Sequence, residues 1–114
     1  MRILLVEPSC PAAEAEIPRI LEGMQKVVGG AILAVYPFEE PVALICNDEG
    51  KLLGLPLNRD LWDGSRVVYN IIAGTFFLCN APVDAETFTY LTDEQMGKYR
   101  ELFARLELFL NLYQ

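Results

Sequence analysis

The middle of the sequence is a succession of short apolar runs, each ended by proline or glycine, and this feature restricts the fold most strongly. The runs read AILAVYPF, VALICN, KLLGLPL and RVVYNIIAGTFFLC. Such runs, rich in β-branched and aromatic residues and bounded by turn residues, are typical of β-strands. The second and third runs are joined by Asp-Glu-Gly, which predicts a β-hairpin with Gly50 in the left-handed conformation. Gly74, inside the fourth run, predicts a bulge or a close backbone approach.

An amphipathic segment precedes these runs and predicts a helix. The chain opens with RILLVEP, which predicts a first strand, and residues 9–16 are expected to form a loop. The helix is expected to begin near Glu16, with Pro18 in its first turn, where the missing N–H costs nothing. Gly29-Gly30 should end it, because the residue after a last helical turn often needs a positive φ.

A second amphipathic segment follows the strands and predicts a long C-terminal helix. It opens at Thr92, which can form a capping box with Gln95, and its apolar stripe continues to Tyr113. Near its end the apolar residues cover more than one helix face, so this helix either crosses the core or packs on a second copy of the chain. We expect a homo-oligomer. The residues expected in that contact are Phe103, Leu106, Phe109, Leu110 and Tyr113.

Taken together, these segments predict one domain over residues 1–114. The predicted fold class is α+β: a small, curved, mainly antiparallel sheet with one N-terminal and one long C-terminal helix.

The residue types available for chemistry favour binding over catalysis. The chain contains no histidine, which removes the usual general base and metal ligand and every Ser-His-Asp or Cys-His arrangement. Its glycines match neither a phosphate-binding loop nor a dinucleotide-binding fingerprint. Cys10, Cys46 and Cys79 lack CxxC spacing, so free thiols are expected. We therefore expect no enzymatic activity, no cofactor and no metal site.

Charge and hydropathy restrict the partners. The net charge of −7, from 16 acidic and 9 basic residues, opposes binding to nucleic-acid polymers and to anionic membranes. No apolar stretch reaches the ~20 residues of a membrane span, and the N-terminus is too quickly charged for a signal peptide. We expect a cytoplasmic protein.

Two polar residues after a Gly-Leu-Pro turn are the first candidates for ligand binding. Pro56 is expected to end a strand, so that Asn58 and Arg59 leave the sheet. The planar guanidinium suits phosphate or carboxylate, and the amide offers both a donor and an acceptor. The alternative is structural: Arg59 pairs with a neighbouring aspartate, and Asn58 caps the turn.

Three further residues complete the candidate ligand site. Tyr36 and Trp62 carry rings that can stack on a base or hold a partner, and Lys51 adds a positive charge. Packing in the core is the alternative for both rings.

The sequence also resembles a known family. The pieces VGG, AVYPFEEPVALICNDEGK, GLPLNR and IAGTFF are similar to a domain-of-unknown-function family of short proteins from Gram-positive gut bacteria, their phages and their conjugative elements. The resemblance extends over residues 1–79 and, more weakly, through LTDEQMGKYRELF.

This resemblance implies a biological context rather than an activity. Small phage and mobile-element proteins without catalytic machinery often act against host defence, so we expect an anti-defence protein that sequesters a small anionic, nucleotide-type immune signal. One alternative is a protein–protein inhibitor or adaptor that acts on a host defence protein through an acidic or aromatic surface. Another is a mobile-element accessory protein with no defence role.

Overall fold

The computed structural model describes residues 1–62 and 68–104. For residues 62 and 68–70 it describes the backbone and not the side chains. Two helices and a mainly antiparallel sheet confirm the predicted α+β class. In chain order the elements are β1 (Arg2–Val6), β2 (Ala13–Glu16), α1 (Leu21–Val28), β3 (Ile32–Val35), β4 (Val42–Asn47), β5 (Leu57–Trp62), β6 (Val68–Ala73), β7 (Phe76–Asn80) and α2 (Asp93–Leu102).

Five strands form the main sheet in the order β2-β1-β7-β4-β3, and all neighbouring strands are antiparallel. Strands β5 and β6 form a separate two-stranded sheet. Each residue of β4 is buried, which agrees with its uninterrupted apolar sequence, VALIC.

Both faces of the main sheet are covered. Successive side chains of each strand point to opposite faces, so the sheet contributes to two separate cores. On one side, which we call the helix face, Ile45 and Phe77 pack with Met24 and Val28 of α1. On the other side, the hairpin face, Leu44 and its neighbours pack beneath β5, β6 and α2. The hairpin-face core consists of Leu4, Val6, Ala12, Val42, Leu44, Cys46, Leu61, Ile72, Phe76, Leu78, Leu91, Met96, Tyr99 and Phe103.

Helix α1 begins later than predicted, because the segment before it is a strand. Residues 13–16 pair with β1, with Arg2 opposite Glu16, so the loop predicted there is wrong. The backbone stays extended at Ile20, with φ −137° and ψ 155°, and Pro18 lies outside the helix. The predicted end is confirmed: Gly29 has φ 82° and donates its N–H to the Gln25 carbonyl.

The hairpin predicted between β4 and the KLLGLPL run is wrong. Both edges of β4 are already paired, one with β3 and the other with β7. Strand β5 begins after Pro56 and pairs with β6 instead. Gly50 does not have a positive φ; it is needed for close contact, because a Cβ there would lie 2.6 Å from the Ala73 carbonyl oxygen.

The last apolar run is two strands rather than one. Gly74, with φ 84°, separates β6 of the small sheet from β7 of the main sheet. Gly74 does approach another backbone segment closely, since its N–H donates to the Pro56 carbonyl at 2.7 Å. An added Cβ would also lie 2.8 Å from Cδ1 of the Leu55 side chain.

Helix α2 starts as predicted and is shorter than predicted. Thr92 and Gln95 form the expected capping box. The helix ends at Leu102, because the ring of Phe103 turns into the core and packs edge-on against Phe76, with ring centroids 5.4 Å apart. The other residues of the predicted oligomer contact, Leu106, Phe109, Leu110 and Tyr113, lie outside the described residues.

Candidate functional site

Asn58, a predicted ligand-binding residue, is part of the core. It lies in β5 and is 1% exposed, so the predicted departure from the sheet after Pro56 is wrong. Its Nδ2 donates to the carbonyl of Val6 at 2.9 Å and to that of Gly74 at 2.8 Å. The amide thus joins the end of β1 to the turn between β6 and β7.

Arg59 is also 1% exposed, and it bridges three segments. Its Nη2 donates to the carbonyl of Cys10 at 2.6 Å, and Nε and Nη2 each donate to that of Phe103 at 3.3 Å. Its Nη1 donates to Oδ1 of Asn58 at 2.7 Å. A buried charge is stable only when it is hydrogen-bonded, and these bonds satisfy that need while they brace the core. Because Arg59 is buried, a ligand at the surface of this structure would not contact it.

A cavity of about 180 Å³ lies at the β3 edge of the hairpin face. It opens between β3, β4, the turn after β4 and the end of β6. Its lining residues are Leu33, Val35, Cys46, Asn47, Asp48, Glu49, Gly50, Lys51, Leu52, Ile71, Ile72 and Ala73.

The turn that borders this cavity is held by Asn47. Its Oδ1 accepts the N–H of Glu49 at 2.7 Å, an Asx-type contact, and its Nδ2 donates to the Val28 carbonyl at 3.2 Å. On the far side, Gly50 lies against the carbonyl of Ala73. The turn is therefore fixed both to the end of α1 and to β6.

The cavity has an apolar interior and a charged rim. Leu33, Val35 and Ile72 contribute to the interior, while Asp48 and Glu49 on the rim outnumber Lys51. Cys46 also lines it, and its thiol donates weakly to the Leu33 carbonyl at 3.7 Å. Burial, followed by the charge of Asp48, raises the pKa of Cys46, so the thiol is protonated at neutral pH and is a poor nucleophile.

Among the four predicted ligand-binding residues whose side chains the structure describes, Lys51 alone lines this cavity. Tyr36 directly follows β3 and is more than half exposed, outside the lining. The backbone of Trp62 ends β5, and its side chain lies outside the described residues. Of the described side chains, those of Tyr36, Lys51, Asn58 and Arg59 are not brought together into one site.

Three exposed leucines were not predicted as a surface: Leu33 and Leu52 line the cavity, and Leu53 follows Leu52 in the chain. Leu33, Leu52 and Leu53 are 42%, 87% and 57% exposed, and we call them the leucine patch. The signal was present in the sequence: two leucines follow a turn, at a place where polar residues are usual. The pattern assigns Leu52 and Leu53 to the second strand of the predicted hairpin, which the structure does not contain.

A second polar cluster forms around Glu40, in the loop between β3 and β4. Its Oε1 accepts the hydroxyl of Tyr99 at 2.5 Å and the ammonium of Lys98 at 2.9 Å. The bond from Tyr99, and then that from Lys98, lower the pKa of Glu40. Burial and the contact with Glu40 raise the pKa of Tyr99. This cluster attaches α2 to the loop after β3.

The described residues contain neither a metal-binding cluster nor a membrane-spanning helix. Within 1–62 and 68–104, no group of three or more cysteine and acidic side chains is arranged to hold a metal. Over the same residues, neither helix has the length and apolar character needed to cross a bilayer.

The fold and the cavity define a small α+β protein with an antiparallel sheet, a buried arginine brace and an apolar patch at one sheet edge. The chain belongs to the family named Domain of unknown function (DUF3846), whose model matches residues 1–104. The predicted resemblance to a domain-of-unknown-function family is thereby confirmed. Comparison with curated proteins and with solved structures found no match.

Proposed function

We propose that this protein is a non-enzymatic binding protein that docks another protein at the leucine patch. The observation that carries the proposal is the exposure of Leu33 and Leu52, which both line one cavity, and of Leu53, which follows Leu52 in the chain. Contiguous exposed apolar side chains with a polar rim mark interaction surfaces in soluble proteins. The rim carries Asp48 and Glu49 and the chain has a net charge of −7, so the partner has an apolar contact surrounded by basic groups.

Two side chains of reactive type, Cys46 and Glu40, are poorly suited to catalysis, which supports binding over turnover. Cys46 is protonated at neutral pH, and Glu40 is held ionised by two donors. A carboxylate with a lowered pKa is a weak general base.

The context of the proposal comes from the family resemblance. We propose a cytoplasmic accessory protein of a phage or mobile element, with a host defence protein as the partner. An apolar patch on an acidic domain supports inhibition by direct contact, the role of an inhibitor or adaptor.

A variant comparison tests the docking surface. The double substitution Leu52→Asp and Leu53→Asp places charge on the patch, and Val83→Asp is the matched control, since Val83 is 93% exposed and outside the cavity lining. All forms are expressed in the native host, cross-linked and recovered for quantitative mass spectrometry. The double variant should lose a host protein that wild type and Val83→Asp both retain. An identical set of cross-linked proteins for all three forms contradicts the proposal.

A small anionic ligand is the second candidate, and Lys51 on the cavity rim favours it. The cavity of about 180 Å³ is smaller than the ~300 Å³ at the lower end for ligand pockets, so it would hold only part of a nucleotide. Titration calorimetry with a panel of mono-, di- and cyclic nucleotides tests it. Binding that Lys51→Ala abolishes would support sequestration; no heat with any nucleotide rejects this candidate.

A further inference from the structure

The two edges of the main sheet differ in charge. The β2 edge carries Glu14 and Glu16, which form ion pairs with Arg2 and with the N-terminal amine. The β3 edge lies in residues 27–38, VVGGAILAVYPF, which contain no charged side chain. Natural edge strands usually carry charges that prevent pairing with other chains. Within residues 1–62 and 68–104, no strand pairs with the outer edge of β3.

The hydrogen-bond phase of β3 shows which backbone groups face outward. The N–H of Asp48 donates to the Ala31 carbonyl at 2.9 Å, and the register places Ile32 opposite Asn47. In an antiparallel pair, bonded and non-bonded residues alternate. Leu33 therefore bonds towards β4, while the N–H and C=O of Ile32 and Ala34 point away from β4.

We infer that the partner adds an extended segment to this edge as a sixth strand of the main sheet, and that this segment alternates apolar and basic residues. This inference rests on the proposed function and specifies its binding mode. Backbone hydrogen bonds to Ile32 and Ala34 supply the pairing, as in other complexes formed by strand addition.

The basic residues follow from the side-chain directions on an added strand. Every second side chain lies on the hairpin face, beside Leu33 and Val35. The cavity rim there carries Asp48 and Glu49. A lysine or arginine fits both surroundings, because its aliphatic stem covers the leucine patch while its charged end reaches the carboxylates.

A second copy of this chain fits the edge less well. Two copies would bring together two molecules of net charge −7, each with an acidic cavity rim. An isolated chain that assembles, and that Ala34→Pro dissociates, contradicts the inference.

The test uses a capped octapeptide of alternating valine and arginine as the probe. Its matched control has the same sequence and charge but is N-methylated at alternate residues, which removes the donors of one edge. Fluorescence anisotropy with the full chain should show the control binding at least about tenfold more weakly, because it loses the backbone bonds. Equal binding of both peptides, or no binding up to about 1 mM, overturns the inference.

Variants of the protein test the same contact from the other side. Ala34→Pro removes an outward N–H without removing a β3–β4 bond, and Ala34→Ser keeps the N–H. We expect at least about tenfold weaker peptide binding for proline and little change for serine.

Asp48→Asn combined with Glu49→Gln should weaken binding and reduce its salt dependence. Amide spectra and melting curves confirm that each variant is folded, and the N-methylated peptide keeps the test decisive if proline unfolds β3.

Failure of the inference is distinguishable from failure of the proposed function. If the leucine-patch variant loses the host partner while Ala34→Pro retains both partner and peptide, docking stands and strand addition is rejected. If neither variant affects the host partner, the proposed docking surface itself is rejected.

Discussion

At the scale of single residues, Arg59 has the side chain that a phosphate site would use, while the fold uses it to bind carbonyls. Those carbonyls belong to residues 49 and 44 positions away in the sequence, Cys10 and Phe103. The local sequence indicates which donors a guanidinium offers, and it carries no information about which distant acceptors reach them. Asn58 and Arg59 stand out after the Gly-Leu-Pro turn, but their burial is not predictable from their residue types.

Removing the Arg59 brace should destabilise the whole domain. Arg59→Ala leaves buried carbonyls without their donor and opens space in the core, so we expect a loss of about 3 kcal/mol or more in the free energy of unfolding. Urea denaturation measures it. The control Arg100→Ala, at an exposed position of α2, should change that free energy by less than about 0.5 kcal/mol. Equal stabilities of the two variants would show that Arg59 does not brace the core.

Two glycines predict opposite effects of the same substitution. Gly50→Ala forces a Cβ to within 2.6 Å of the Ala73 carbonyl oxygen and should cost about 1–3 kcal/mol. Gly97→Ala, in α2 with no atom within 4 Å of the added Cβ, should stabilise the protein by about 0.5–1 kcal/mol. Thermal melts of both variants check the pair; a rise in melting temperature for Gly50→Ala would contradict the close contact.

At the scale of elements, local patterns identified most elements and failed on their pairing. The runs that became β1, β3, β4 and β7 were recognised from their composition, and the capping box at Thr92 was correct. Strand β2 was not predicted, because its sequence, AEAE, contains no β-branched or aromatic residue. These residues form a strand through their pairing with β1. The hairpin error has the same cause: which strands pair is decided by the whole sheet, not by the turn between two runs.

The attachment of α2 through Glu40 predicts how stability depends on pH. The pKa of Glu40 is lower in the folded than in the unfolded protein, so its stabilisation is complete above the unfolded value of about 4.3 and is lost as pH falls through the folded pKa. Urea unfolding of wild type and Glu40→Gln should therefore differ most near neutral pH, and the two free energies should converge on acidification. A constant difference from pH 7 to pH 3 contradicts the assignment.

Tyr99 predicts the alkaline side of the same profile. Its pKa is raised in the folded protein, so its contribution is complete below the unfolded value of about 10 and is lost as pH rises above it. Tyr99→Phe should be less stable than wild type at pH 8, and the gap should narrow above about pH 10. Tyr36 and Tyr90 are exposed and contribute to the phenolate absorbance of both proteins, so the signal of Tyr99 is the difference between wild type and Tyr99→Phe. That difference should appear only on unfolding, and a normal titration of Tyr99 in the folded state would contradict the buried contact.

At the scale of the whole molecule, the sequence defined the class better than the site. The α+β fold and the family followed from runs, caps and motifs that are local. The site did not, because burial of Arg59 and exposure of Leu52 both result from how β5 and the preceding turn lie against the main sheet. Of the predicted ligand-binding residues, Lys51 borders the cavity, and whether it binds a ligand stays a prediction.

Oligomerisation through the C-terminal residues also stays a prediction, and it is independent of the β3 edge. We expect wild type to sediment as a dimer and the double variant Phe109→Glu, Leu110→Glu to be a folded monomer, because charge in an apolar contact between two helices is costly. Ala34→Pro is the control and should remain dimeric. Sedimentation equilibrium decides, and a monomeric wild type rules out the contact.

The uncharged β3 edge also has a consequence for handling the purified protein. At neutral pH the net charge of −7 makes the molecules repel one another, which keeps their β3 edges apart. This repulsion vanishes near the isoelectric point of about 4.5. Open strands can then stack from one molecule to the next, in the manner of fibril growth. Concentrated samples should therefore be most prone to precipitation in mildly acidic buffers, and a lysine introduced into β3 should delay it.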